Sequence, residues 1–293
     1  MSLFSDRPGG RLHALTIALG LWGCVALVLS FGGWIWHVRS KRFPGLSDYF
    51  FARQDMWVLD AQALLLFVLA AWAWGERKRA DLARPAWIMP RWPIAAGILL
   101  AVLISWLGRA LVFHHYSPSR DELMVEMAGA YLANGHVGWP IPVEWLPFRR
   151  AIQPEFYSPY GADTHWTAIY LPVHAAIRAV FMWLGDAGLA APVTLGIGLL
   201  GLWHNARKLL PDRQDAVLVV MMMALTSAQL LVTAMTPYAM TSHFAFNMVW
   251  LALVLRRDWI GHAGAAIVAL LAAGLHQWHF PLLFIGPFIL WMA

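Results

Sequence analysis

Three groups of side chains in this sequence have the types and spacing that chemistry needs. Asp121 and Glu122 are adjacent carboxylates within Ser119-Arg120-Asp121-Glu122, Arg149 and Arg150 are adjacent guanidinium groups near Gln153 and Glu155, and His165, His243, His276 and His279 recur beside polar turns. A carboxylate can take the proton of an attacking hydroxyl, general-base help worth roughly 10²–10⁴ in rate. Paired arginines suit phosphate oxygens, to which guanidinium groups donate parallel hydrogen bonds, and they can stabilise charge on a departing phosphate. The histidines are expected to contact substrate or to serve structure. His276-x-x-His279 has the spacing of a metal pair, but Pro281 interrupts a regular helix nearby and the His-Glu-x-x-His zinc signature is absent, so no metal ligand is assigned. Each group also has a plainer use. The acidic pair can simply cap a helix, and the arginines can reach toward anionic headgroups.

What must position these residues is a set of apolar helices. Of 293 residues, 60% are hydrophobic and only 13% charged, with a mean hydropathy of +0.58; soluble domains carry about a quarter charged residues. Apolar runs long enough to cross a bilayer recur at about 12–36, 56–74, 93–113, 166–184, 189–205, 216–234, 240–255, 259–275 and 280–293. This pattern predicts an all-α fold, a polytopic transmembrane helical bundle, and excludes a disordered chain, a disulfide scaffold and an ordinary cytosolic enzyme. The single cysteine, Cys24, lies in the first run and forms no intrachain disulfide. The first run is too long for the core of a signal peptide and is read as a retained span. Trp34, Trp36, Trp57, Trp92, Trp166 and Trp183 sit near run ends, as an interfacial belt would place them. The net charge of +5 resides in short loops, where it orients the chain in a membrane and does not call for nucleic acid.

The organisation expected is N-terminal transmembrane helices over 1–113, an outer loop carrying interfacial amphipathic helices over 114–165, and an interfacial or re-entrant segment with further spans over 166–293. Arg77, Lys78, Arg79, Arg84 and Arg91 mark one connection as cytoplasmic, which puts 114–165 outside. If the apolar segment after it dips into the outer interface without crossing, Arg207, Lys208, Arg213, Arg256 and Arg257 all fall inside. His174 and Arg178 within that segment favour this arrangement, because charge in a lipid-facing span is costly. Arg39, Lys41, Arg42 and Arg53 then lie outside, against the rule. Within the outer loop, Ser119-x-x-Glu122 matches a capping box, Leu123, Met127, Ala130 and Tyr131 suggest an apolar stripe, and Asn134-Gly135 a stop. The helix so delimited would lie on the outer membrane surface, with both carboxylates in its first turn kept ionised by the helix N-terminus. Arg120 reads as a loop cation or a partner to Glu126.

A span that exits into an outer loop with Arg120-Asp121-Glu122, then a helix ending in Asn134-Gly135, then a Trp/Pro-rich stretch, resembles the GT-C class of membrane glycosyltransferases. It is most similar to the polyprenyl-phosphate-sugar transferases, including protein mannosyltransferases and aminoarabinose transferases. The stretch from Gly274 to Phe284, with His276, His279 and Pro281, resembles later segments of that family. The resemblance covers about 109–293. It implies an inverting transfer, with Asp121 as base, Glu122 as its acidic neighbour and no nucleotide cofactor, although some members bind divalent metals. It further implies a polyprenyl-phosphate sugar as donor, membrane lipids as surroundings, a hydroxyl acceptor of unknown nature, and a bacterial inner membrane with the loop facing the periplasm. Two additional spans precede the motif, and the chain ends where family members continue, which implies a partial chain. The competing class is a transporter or flippase of lipid-linked precursors, or a noncatalytic membrane subunit. Such transporters concentrate polar groups at the bilayer midplane and show repeats, whereas polarity here gathers in one outer loop.

Overall fold

The computed structural model describes residues 8–39, 55–76 and 91–292. The chain divides into two compact units, Met1–Ala86 and Trp87–Ala293. In the first, α1 (Pro8–Arg39) and α2 (Met56–Glu76) pack against each other. Small residues make the seam: Ala26, Ala63, Ala70 and Ala73 are buried, and Gly23 faces the Phe67 ring closely enough that a Cβ would stand 3.0 Å from it. Close backbone approach of this kind is how helices associate where lipid removes the hydrophobic drive between them. The basic stretches 40–54 and 77–90, on which part of the orientation argument rests, lie outside the described residues.

The second unit begins with α3 (Trp92–Leu111) and α4 (Arg120–Ala133). It continues with short strands β1 (Trp139–Pro140), β2 (Tyr157–Tyr160) and β3 (His165–Ala168), and with α5 (Val173–Trp183) and α6 (Ala190–Leu209). Five further helices follow: α7 (Gln214–Leu225), α8 (Ala228–Ala234), α9 (Met240–Val254), α10 (Trp259–Ala273) and α11 (Phe280–Met292). Four described helical segments are long and apolar enough to cross a membrane, and five if α7 and α8, bent by 48°, count as one. Glycines 196 and 201 on α6 admit Val102 of α3 and Met248 of α9, where a Cβ would stand 2.9 Å and 2.8 Å away. Ile94, Ile98, Ala101, Leu195, Leu199 and Met221 fill the core between these helices.

The structure corrects the expectation of an all-α fold in one place. The loop after α3 is partly a three-stranded antiparallel sheet in the order β1-β3-β2, with Trp139 opposite Trp166 and Tyr157 opposite Ala168. The strands are only two to four residues long. They are rich in Trp, Tyr and Pro, so no alternating pattern longer than a turn announces them. Alone, so small a sheet would be marginal. It persists because Met124, Val125, Ala128 and Tyr131 of α4, Tyr157 and Trp166 of the sheet and Ala175 of α5 share one core. Two hydrogen bonds lock the layers together, from the Tyr157 hydroxyl to the Met124 carbonyl (3.1 Å) and from the Ala168 N–H to the Tyr131 hydroxyl (3.3 Å).

The segment after the sheet holds no described helix long enough to cross a membrane by itself. Of 166–184, the first residues are strand, and the 11-residue α5 extends about 16 Å at 1.5 Å per residue, against roughly 30 Å of hydrocarbon. His174 and Arg178, each 2% exposed, are buried against protein.

Candidate functional site

The site starts at the first turn of α4. Ser119 has extended backbone, and its Oγ accepts the Glu122 N–H at 3.4 Å, which satisfies one of the free donors at the helix start. Ser119 Oγ also lies 2.7 Å from the Tyr238 hydroxyl, so the cap is tied to the corner before α9. The reciprocal half of the capping box does not form. The Glu122 carboxyl turns inward, is 1% exposed and leaves Oε2 without a partner among the described residues. Its pKa is pushed up from 4.5 to about 7, first by burial and then by the charge of Glu126, against the opposing pull of Tyr238 and Arg178. At Glu122 desolvation thus opposes the helix N-terminus, which favours an ionised carboxylate.

Helix phase also shifts the apolar face. Met124, Val125, Ala128 and Tyr131 are buried, whereas Leu123 is 50% exposed. Of the expected stripe Leu123, Met127, Ala130 and Tyr131, Tyr131 is buried and Met127 packs against the core while Leu123 lies outside it, because α4 packs between a sheet and α5 and not simply against a flat lipid surface. This phase leaves Asp121 half-buried, where its Oδ1 accepts a 2.8 Å hydrogen bond from the Tyr170 hydroxyl. Burial, then the carboxylate beside it, push the Tyr170 phenol up to about 12, so it remains a donor at neutral pH. The Tyr170 ring lies against the His276 ring with centroids 3.9 Å apart. The backbone enforces this meeting, since Leu171 N–H donates to His276 O (3.1 Å) and Val173 N–H to Gly274 O (2.9 Å). His243, His276 and His279 surround the Phe280 ring at centroid distances of 5.7, 5.6 and 4.7 Å. Burial lowers the His276 pKa against the pull of Asp121. Beneath Tyr170 and His276 a slot of about 20 Å³ also touches Met124, Ala128 and His174. That is room for about one water.

Asp121, His243, His276 and His279 thus belong to one neighbourhood, with Glu122 directly behind it. Arg149, Arg150 and His165 belong to another. Arg149 donates to Leu146 O (3.0 Å) and to Asp163 Oδ2 (3.4 Å), and its Nε is buried without a partner among the described residues. Asp163 takes this position from a tight β2–β3 turn in which Gly161, Ala162 and Asp163 are all left-handed. Arg149, Arg150, Gln153, Asp163 and Trp166 line a cavity of about 300 Å³ that shares no lining residue with the slot below Tyr170. His165, on β3, bonds through Nδ1 with Thr164 Oγ1 at 2.9 Å.

Sequence reasoning missed three features. Tyr170 carried no motif; its place before Pro172 and α5 matters only once the chain has folded back. Glu126 does not pair with Arg120, which bonds Glu155 instead. The Glu126 Oε1 accepts from Arg109 of α3 and from Arg178 of α5, both at 3.4 Å, which clamps three helices together. His174 bridges Ser242 Oγ (2.9 Å) and Pro237 O (2.7 Å), tying α5 to α9. The signal available was the presence of Arg178 and His174 in an apolar segment, which demands buried partners. Among the described residues, no three His, Cys, Asp or Glu side chains converge to hold a metal ion.

Comparison with known proteins finds no match to this chain among protein-family models, curated proteins or solved structures.

Proposed function

We propose that this chain is a multi-pass membrane glycosyltransferase that moves a sugar from a polyprenyl-phosphate donor to a hydroxyl on a lipid, glycan or protein at the outer membrane face. The acceptor oxygen attacks the anomeric carbon, the bond from that carbon to the phosphate oxygen breaks, and the electron pair leaves with the polyprenyl phosphate. Asp121 takes the acceptor's proton. Tyr170 and His276 are positioning residues that hold the carboxylate and its surroundings. The observation that carries this reading is the contrast within the acidic pair: Asp121 is reachable and held by a protonated phenol, whereas Glu122 is buried and suited to structure. Arg149 and Arg150, whose cavity shares no lining residue with the slot below Tyr170, are assigned to the donor phosphate alone, with the sugar directed toward Asp121. The transporter reading has less support, because the ion network joins Glu126 of α4 and Arg178 of α5 to Arg109 at the very end of α3, and not to the middle of a long apolar helix.

The test is sugar transfer by purified full-length protein across several polyprenyl-phosphate sugars. Arg149→Ala with Arg150→Ala should raise the donor concentration needed for half-maximal rate, with expression and membrane insertion unchanged. Unaltered donor dependence would remove these arginines from the donor site.

A further inference from the structure

The cavity lined by Arg149 and Arg150 is also lined by a carboxylate, which repels the kind of anion that arginines bind. Its charged lining residues are Arg149, Arg150 and Asp163, while the others, Gln153 and Trp166 among them, are uncharged. Two cations and one anion leave the lining with a formal charge of +1. The backbone fixes the place of Asp163. Gly161, Ala162 and Asp163 have φ of 61°, 54° and 63°, and the Thr164 N–H and Oγ1 close the turn by donating to Gly161 O at 3.2 Å and 2.6 Å. Left-handed backbone is uncommon in residues with a Cβ, and such outliers cluster where ligands are clamped. Asp163 does not use up Arg149. Their contact is a single one of 3.4 Å between Oδ2 and Nη2, longer than the roughly 2.7–2.9 Å of a close charge-assisted bond. Nη1 donates once, to Leu146 O. One hydrogen remains on each of these nitrogens, so Arg149 can take phosphate oxygens while Asp163 stays in place.

We infer that Asp163 is a specificity-determining residue, which suits this cavity to a phosphodiester with one negative charge and sets it against phosphomonoesters and pyrophosphates, which carry more. This rests on the reading of Arg149 and Arg150 as the donor-phosphate site. A sugar joined through phosphate to a polyprenol is a phosphodiester monoanion. When the bond from the anomeric carbon to the phosphate oxygen breaks, that oxygen keeps the electron pair. The polyprenyl phosphate left behind is a monoester, of about −1.5 to −2 charge at neutral pH. Asp163 repels the added charge. The cavity therefore holds the loaded donor in preference to the spent carrier. The discrimination comes from a built-in repulsion and not from a contact that only one ligand makes.

The test is calorimetric titration of the full-length protein, in a non-ionic detergent at neutral pH, with farnesyl methyl phosphate, farnesyl phosphate and farnesyl pyrophosphate. The shared tail cancels in the ratios of Kd, so the ratios report the phosphate alone. Asp163→Asn removes the charge, keeps an acceptor oxygen for Arg149 and tolerates left-handed backbone. Asp163→Gly removes the side chain and fits the same turn. The wild type should bind the diester most tightly. Both variants should gain roughly tenfold for the monoester and the pyrophosphate relative to the diester, as expected when one unit charge leaves a partly solvated cavity. Unchanged ratios in either variant, or parallel weakening of all three probes, would overturn the inference and leave Asp163 as a prop for Arg149. Tightest binding of the pyrophosphate by the wild type would overturn it as well. Arg149→Ala with Arg150→Ala tests the underlying reading separately. That double variant should weaken all three probes, and unaltered binding of all three would instead remove the phosphate from this cavity.

Discussion

The neighbouring carboxylates differ because one helix phase gives them different solvents. Glu122 points into a core with Glu126 one turn away, so its folded pKa of about 7 lies above its ordinary 4.5. The folded state therefore holds this proton more tightly than the unfolded chain, and stability falls as pH rises from about 4.5 to 7 and levels off above it. Glu122→Gln removes the titrating group and retains the backbone N–H that Ser119 caps. Thermal melts in detergent should show the wild type losing stability across that pH window and the variant losing less. Parallel pH profiles would show that Glu122 does not carry this dependence. The sequence made the acidic pair and its cap legible, since Ser119, Glu122 and Asn134-Gly135 are local signals. It did not reveal which carboxylate is reachable, because that depends on what packs on either side of the helix.

At the scale of elements, the clamp through Glu126 joins α3, α4 and α5. Arg178 is 2% exposed, and Glu126 supplies its carboxylate. Glu126→Gln leaves a buried guanidinium without its ion-pair partner and should cost about 3–5 kcal/mol. Adding Arg178→Met, which replaces the stranded charge by an apolar chain of similar length, should recover much of that loss. Denaturation midpoints of the two single variants and the double variant give the coupling, and additive losses would show that the two side chains act independently. The existence of the long helices was legible from apolar runs. The sheet was not, because its strands are too short for a period of two to register and are stabilised by contacts distant in sequence. Tyr170 was invisible for the same reason. Its bond to Asp121 depends on β3 and on the 274–276 turn, not on any neighbouring residue.

At the scale of the whole molecule, the corners at 117–121, 170–174, 236–243 and 274–280 meet through the bonds of Asp121, Ser119, Tyr238, His174 and His276. If α5 stays on one side of a membrane, all four corners share one membrane face. In the Cys24→Ala background, cysteines at His136 and Asp212, both exposed, should then be labelled from opposite sides by an impermeant reagent. Labelling of both from the same side would require α5 or another segment to cross and would dismantle the proposed outer face. How the corners lock together required the fold, since it rests on hydrogen bonds between segments far apart in the sequence.

The central claim is that Asp121 is the base, and its amide tests it most directly. Asp121→Asn keeps the shape and still offers Tyr170 an acceptor oxygen, but it cannot take a proton at neutral pH. The informative measurement is the turnover of this variant beside Glu122→Gln, with a lipid-phosphate sugar and normalised to folded protein. Asp121→Asn should lose roughly 10²-fold or more in turnover, and Glu122→Gln much less. Near-normal turnover by Asp121→Asn would contradict it and leave the carboxylate as a helix-start residue bonded to Tyr170.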